Sequence, residues 1–215
     1  MSKNAKGYMG DQIGKLGPAV GRRWKGKMVY SAYQPVVRNP RTDRQLLVRA
    51  HFTTMVELTR TFHTATLLGM ASRARSLQIT DSNLFFSVNY GAVSGTTPDA
   101  LTVNYEQLKV AAGPVATVGF GAADYDTPQH IEVLIASDGL DQAGASTSDS
   151  VYLAACCVGT KACVVSNGRA TRSDESVSLE VPSSWQGQRV HLYGFVCDTN
   201  GQASDSVYIG SGTVA

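Results

Sequence analysis

From Val115 onward the chain reads as short apolar runs separated by polar turns, and that rhythm limits the fold more than any other feature. The runs are 115–121, 130–137, 150–158, 161–166, 176–181, 189–197 and 206–210. Between them lie stretches such as "DYDTPQ", "GLDQAGASTS", "SNGRATRSDE", "PSSWQGQ" and "DTNGQAS", made of the residues that close tight turns. Seven strands at this spacing predict an antiparallel β-sandwich of immunoglobulin or fibronectin type over residues 115–215. The cysteine and tryptophan signature of a true immunoglobulin domain is missing. One echo runs through the region: "STSDSVYLA" at 146–154 and "QASDSVYIG" at 202–210. In each, alternation sets Tyr152 or Tyr208 on the opposite face from its apolar neighbours. Only 17% of the 215 residues are charged and 43% are hydrophobic, which suits a β-rich chain with a Ser, Thr and Gly surface.

Upstream the period changes. Asn39 and Pro40 offer a helix cap and first turn. Leu47, Met55, Leu58, Phe62, Ala65 and Leu68 then fall on one helical face. An amphipathic helix is expected from 40 to near 70, closing around Gly69. "SNLFFSVNY" suggests a short strand over Leu84–Tyr90, and "TVNYEQLKVAAGP" another extended piece. The expected fold class is therefore mainly β with an N-terminal helical segment and a C-terminal immunoglobulin- or fibronectin-like sandwich. The expected organisation is a glycine-rich basic arm (1–38), the helical segment (39–75), a mixed connection (76–114) and the sandwich (115–215).

Charge divides the chain sharply. Residues 1–75 hold fourteen basic and three acidic groups, a balance of +11; residues 76–215 hold five basic and fourteen acidic, a balance of −9. A basic segment can serve a polyanion such as DNA or RNA, or it can dock on the acidic part of another copy. The arm supplies Arg22, Arg23, Lys25 and Lys27 around Trp24, and the helix adds Arg41, Arg44 and Arg49. These eight are the candidate contacts for assembly or nucleic acid. Trp24 can stack on a base or anchor the arm in a neighbour's pocket. Glycines at 7, 10, 14, 17, 21 and 26 interleave with Ile13, Leu16, Val20 and Trp24, the pattern of an arm ordered by lying on a partner.

The stretch "GKLGPAVGRRWKGKMVYSAYQP…VRNPRTDRQLLVRAHF" resembles the opening of an uncharacterised family abundant in Bacteroidetes, the DUF6266 kind. The resemblance rests on Gly14, Gly17, Gly21, Trp24, Lys25, Gly26, Asn39, Pro40, Arg41, Thr42, Gln45, Arg49, Ala50 and Phe52, with His51 where a Lys is usual. It continues through "LTVNYEQLKVAAGP" to "SWQGQRVHLYGFV…NGQASDSVYIG". It implies that arm, helix and β-region form one inherited unit. It implies no catalytic or ligand residue.

No residue pattern points to an enzyme, a cofactor or a metal. His51 and His63 share a helix side but stand more than three turns apart, too far to share a metal. Asp124, Asp126, Asp138 and Asp141 sit in turn text, where Asp bonds nearby backbone N–H groups. "DGLDQAG" lacks the alternating ligands and final Glu of a calcium loop. No GxGxxG, GK[ST], HExxH or GxSxG is present. Cys156, Cys157, Cys163 and Cys197 do not follow zinc spacing and read as reduced structural thiols, with a disulfide from Cys197 to Cys157 or Cys163 open in an oxidising setting. No apolar stretch is long enough for a secretory signal or membrane span, so synthesis in the cytoplasm is expected, with a virion or the cell exterior as a later destination. Three functions follow in order of preference: a self-assembling structural protein of a virion or filament, with arm exchange between copies; a nucleic-acid-binding protein; and an immunoglobulin-like ligand-binding or adhesion module.

Overall fold

Two tight turns fold the basic N-terminal segment into a sheet. Strand β2 (Gln12–Leu16) turns through Gly17 and Pro18 into β3 (Ala19–Trp24), which turns through Lys25 and Gly26 into β4 (Lys27–Ala32). Lys25 and Gly26 have φ of 44° and 78°. Two positive φ values in a two-residue loop are the pattern of a type I′ turn, whose twist matches that of the strands it joins. A short β1 (Lys3–Asn4) pairs with β2, giving the antiparallel order β1-β2-β3-β4. The computed structural model describes residues 3–4, 11–36, 39, 41–136 and 145–215. Gly7, Gly10, Pro40, Asp138 and Asp141 lie outside them.

The chain divides into two compact units, Met1–Thr42 and Asp43–Ala215. The second begins with four helices: α1 (Asp43–Thr61), α2 (His63–Gly69), α3 (Ala71–Ser76) and α4 (Asp81–Asn89). Asp43 in the first turn of α1 and Arg60 in its last both complement the helix dipole. Thr80 caps α4 by accepting the Asn83 N–H at 3.1 Å. A small ladder, β5 (Val93–Ser94) with β6 (Thr102–Val103), follows. Asn89 ties α4 to the next segment: its Nδ2 donates to the carbonyls of Phe85 and Lys109, and its Oδ1 accepts the Lys109 N–H at 2.7 Å.

Two antiparallel sheets complete this unit. The strands are β7 (Gly119–Asp124), β8 (His130–Ala136), β9 (Ser150–Cys157), β10 (Ala162–Val165), β11 (Ser176–Glu180), β12 (Arg189–Cys197) and β13 (Val207–Thr213). They pair as β10-β9-β12-β13 and β11-β8-β7. The four-stranded sheet is apolar on both faces. Ala154, Cys156, Tyr193, Phe195 and Cys197 pack with Met55, Phe62, Ala65, Leu84 and Phe85 of the helices. On its other face Val151, Leu153, Ala155, Cys157, Val190, Leu192 and Val196 pack with Ile131, Val133, Ile135, Val177 and Leu179 of the three-stranded sheet. The order of layers is helices, central sheet, outer sheet. Gly194 in β12 leaves room for the Phe120 ring; a Cβ there would lie 2.4 Å from Phe120 Cζ.

The fold class is thus mixed α/β, with strands over 12–32, helices over 43–89 and then the two sheets, and it contains no closed β-sandwich. The expected immunoglobulin- or fibronectin-like sandwich is corrected on this point. A sandwich buries one face of each sheet, whereas β9 and β12 are buried on both, because the helices cover the face that a sandwich would leave to solvent. The strand expected at Leu84–Tyr90 is also corrected. Those residues belong to α4 and the 3-10 turn after it, since the Thr80 cap starts a helix that sets Leu84 and Phe85 into the core. The single helix expected from 40 to 70 is broken at Phe62 and Met70 into α1, α2 and α3. Tyr152 and Tyr208, the echoed pair, both pack on the helix-side core.

A buried ion pair holds the loops of the sheets. Arg172 Nε donates to Asp149 Oδ2 at 2.9 Å, and the two side chains are 1% and 2% exposed. The guanidinium also donates to the carbonyls of Ala116 and Thr117, and Asp149 Oδ2 accepts the Ser146 N–H. Three segments distant in sequence therefore share one charge-assisted network.

Candidate assembly and nucleic-acid interface

The β-alternation of the N-terminal sheet sorts the predicted contacts between two faces. Arg22 pairs with Val29, and Trp24 with Lys27, while Lys15 pairs with Val20. Residues opposite one another share a face, as do residues two apart. Lys15, Arg22, Trp24 and Lys27 therefore lie on one face, and Arg23 on the other. Arg23 is ion-paired with Asp11. Lys25 sits in the turn. Arg41 precedes α1, and Arg44 and Arg49 lie on it, in the second unit. Five residues along a helix separate Arg44 from Arg49 by roughly 140°, so the two do not share a face.

This sheet has almost no interior. Among its described residues only Gly21 is buried, and a Cβ there would collide with the Gln12 carbonyl. Ile13, Leu16, Tyr30, Tyr33 and Val36 are exposed, and Trp24 at the hairpin tip is 63% exposed. Lys15 Nζ lies 3.8 Å from the centre of the Tyr33 ring, a cation–π contact. Lys15 was not singled out in the sequence. The signal was there in the two turns, Gly17-Pro18 and Lys25-Gly26, which fix the register and hence its face.

The other concentration of polar chemistry is inside the second unit. Cys163, Cys156 and His191 stand in one cross-strand row of β10, β9 and β12. The His191 ring stacks on Tyr105 with centroids 4.3 Å apart, and its Nδ1 lies 2.9 Å from the Tyr208 hydroxyl. Burial, helped by Arg189, holds His191 below its ordinary pKa and so favours the neutral ring at that hydrogen bond. Burial pushes the Cys156 thiol up to about 12 and Cys197 to about 11, and raises Cys163 as well. All four cysteines are free. Protonated thiols packed in a core are poor nucleophiles, so this row fills space and positions β-strands. No group of three or more His, Cys, Asp or Glu among the described residues is placed to hold a metal ion. His51, on α1, contacts the Val93 carbonyl at 3.0 Å and the Tyr90 ring, while His63 opens α2. Asp124 and Asp198 bond backbone N–H groups of their own turns, as short acidic side chains in turns do.

Among the described residues, no helix is long and apolar enough to cross a membrane. No curated protein matches the chain. A family model described as "Family of unknown function (DUF6266)" matches residues 10–210, and it covers both the exposed basic sheet and the layered unit; the chain belongs to that family.

Proposed function

We propose that this chain is a non-enzymatic structural protein that self-assembles, with the N-terminal sheet of one copy seated on the next. The observation that carries this reading is the N-terminal sheet's lack of an interior. Four apolar or aromatic side chains, Ile13, Leu16, Trp24 and Tyr30, are exposed on a small sheet whose only buried described residue is Gly21, and Tyr33 and Val36 just after it are exposed too. An antiparallel sheet needs a second layer over its apolar residues to be stable in water. A neighbouring copy supplies that layer and a pocket for Trp24. Charge supports the same partner: residues 1–42 carry nine basic groups and one acidic, residues 43–215 ten basic and sixteen acidic, so unlike charges meet when identical chains dock. A phage virion component or an extracellular filament is the setting that suits such a chain. The test is solution mass with electron microscopy, on the full chain and on a chain lacking residues 1–35. Large particles that vanish with the arm are expected. A persistent monomer near 22.9 kDa at high concentration would sink assembly, and particles that survive the truncation would reject the arm's role.

A second reading rests on the common face of Lys15, Arg22, Trp24 and Lys27, where an exposed ring between cations suits nucleic-acid backbone and bases. On that reading, retention of DNA or RNA falls steeply with salt and is lost when Arg22, Trp24 and Lys27 are changed together. Unchanged mobility of nucleic acid at low salt, over a broad range of protein concentration, removes it.

A further inference from the structure

The layered unit carries two unlike surfaces on its two outer layers. On the helix layer, Phe52, Val56, Thr59 and Arg60 of α1 and Ser82, Asn83 and Phe86 of α4 line a mainly apolar slot of about 500 Å³. Phe52 is 57% exposed there, 5.2 Å from the Phe86 ring. Arg60, on the same stripe of α1 as Val56, adds one guanidinium to the lining of the apolar floor. On the opposite layer, the solvent face of the outer sheet is acidic. Asp124 pairs with Glu132, and Glu180 pairs with His130 beside them. The three strands carry no Lys or Arg. Leu134, two residues from Glu132 on the same face, is 63% exposed.

We infer that copies stack head to tail, the acidic outer sheet of one copy seating Leu134 in the α1–α4 slot of the next. The inference rests on the assembly reading above and adds a second contact to it. Leu134 supplies an apolar knob that water leaves costly to expose, and the slot supplies aromatic walls. The carboxylates around the knob meet Arg60 at the slot, so the charges match in the same docked pose. The occupant is a second copy because this chain already bears the matching surface. Since knob and slot lie on opposite layers, each copy that fills one site still offers the other. Such a heterologous contact propagates rather than closing as a two-fold dimer.

The test replaces Thr59, at the slot wall, with the photo-crosslinking residue p-benzoylphenylalanine in full-length chain, mixed with an isotopically labelled copy. Cross-links between chains, from the slot to peptides of β8 or β11, are expected. Cross-links from the slot only to residues 11–36, or only within one chain, while the protein still assembles, overturn this contact and leave the assembly reading standing. A monomer at every concentration overturns both. Arg60→Glu and Glu132→Arg, each at an exposed site, should separately weaken association about tenfold. Their equimolar mixture should recover association, because one intact or charge-swapped contact per pair remains; a mixture no stronger than the singles overturns the seating.

Discussion

The central sheet and the N-terminal sheet are both antiparallel and four-stranded, yet they are stabilised in opposite ways. In the central sheet nearly every residue of β9 and β12 is buried, on both faces. In the N-terminal sheet the register is fixed by turns, and the side chains stand in solvent. Hydrogen-bonded ladders are thus formed in both, but only one is held by the removal of apolar area from water. Turn chemistry can specify a sheet that packing does not yet stabilise. The assembly proposal takes its start from that difference.

Substitutions can break this contrast. The largest difference is between the two ion pairs. Arg172→Ala should cost about 3–5 kcal/mol, because Asp149 is left charged and buried. Arg23→Ala removes an exposed partner of Asp11 and should cost under about 1 kcal/mol. Denaturant midpoints of dilute protein measure both, and equal losses would erase the distinction. Next in size are apolar truncations. Leu192→Ala opens a cavity between the sheets and should cost about 2–5 kcal/mol. Ile13→Ala should stay within about 0.5 kcal/mol in dilute protein, with a larger effect at concentrations where copies associate. A third comparison concerns the hairpin. Gly26→Ala forces a Cβ into a left-handed conformation at φ 78° and should cost about 1–2 kcal/mol locally. Amide hydrogen exchange should quicken in β3 and β4 and stay unchanged in β9 and β12.

A last comparison is the pH dependence of the layered unit. His191 is held below its ordinary 6.5 by burial, so the unfolded chain takes up a proton first as pH falls. The stabilisation is present above about 6.5 and is lost as pH drops toward the folded pKa. His191→Gln should flatten that limb of the stability curve. At the other end, Cys156 and Cys197 stay protonated in the fold well above the ordinary 9.0. Stability should therefore decline as pH rises past 9, and Cys156→Ala with Cys197→Ala should shallow the decline. Thermal melts across the pH range test both limbs.

The strands of the outer sheet were legible because their alternation is clean: His-Ile-Glu-Val-Leu-Ile-Ala is observed at 130–136 where 130–137 was expected. The central strands were legible as strands but not in their surroundings. "VYLAACC" and "VHLYGFVC" are nearly continuous apolar runs, the mark of a strand covered on both faces. That mark pointed to helices over the second face, and the sandwich expectation passed over it. Leu84–Tyr90 misled because Phe85, Phe86 and Val88 carry high β-propensity, while the single Thr80 cap that decides for helix is a weaker sequence signal. The arm's glycines were read as flexibility, when Gly17 and Gly26 are turn residues that fix pairing. Of the candidate contacts, period two brought Arg22, Trp24 and Lys27 together and set Arg23 apart. The slot and the acidic sheet face were beyond reach, since each depends on elements meeting across a layer.

Strand β12, like its neighbour β9, contributes to both cores, and its late place in the chain governs the order of folding. It pairs with β9 across some forty residues and with β13 just after it. All four helices and every other strand of the layered unit except β13 precede it. During synthesis neither core can close until β12 has left the ribosome, so Met55, Phe62 and Phe85 wait uncovered while β9 holds an unpaired edge. The N-terminal sheet, built from neighbours in sequence, needs no such wait. A chain whose interior closes this late carries uncovered apolar surface through most of its synthesis, and the spacing of ribosomes on its message becomes part of how faithfully it folds.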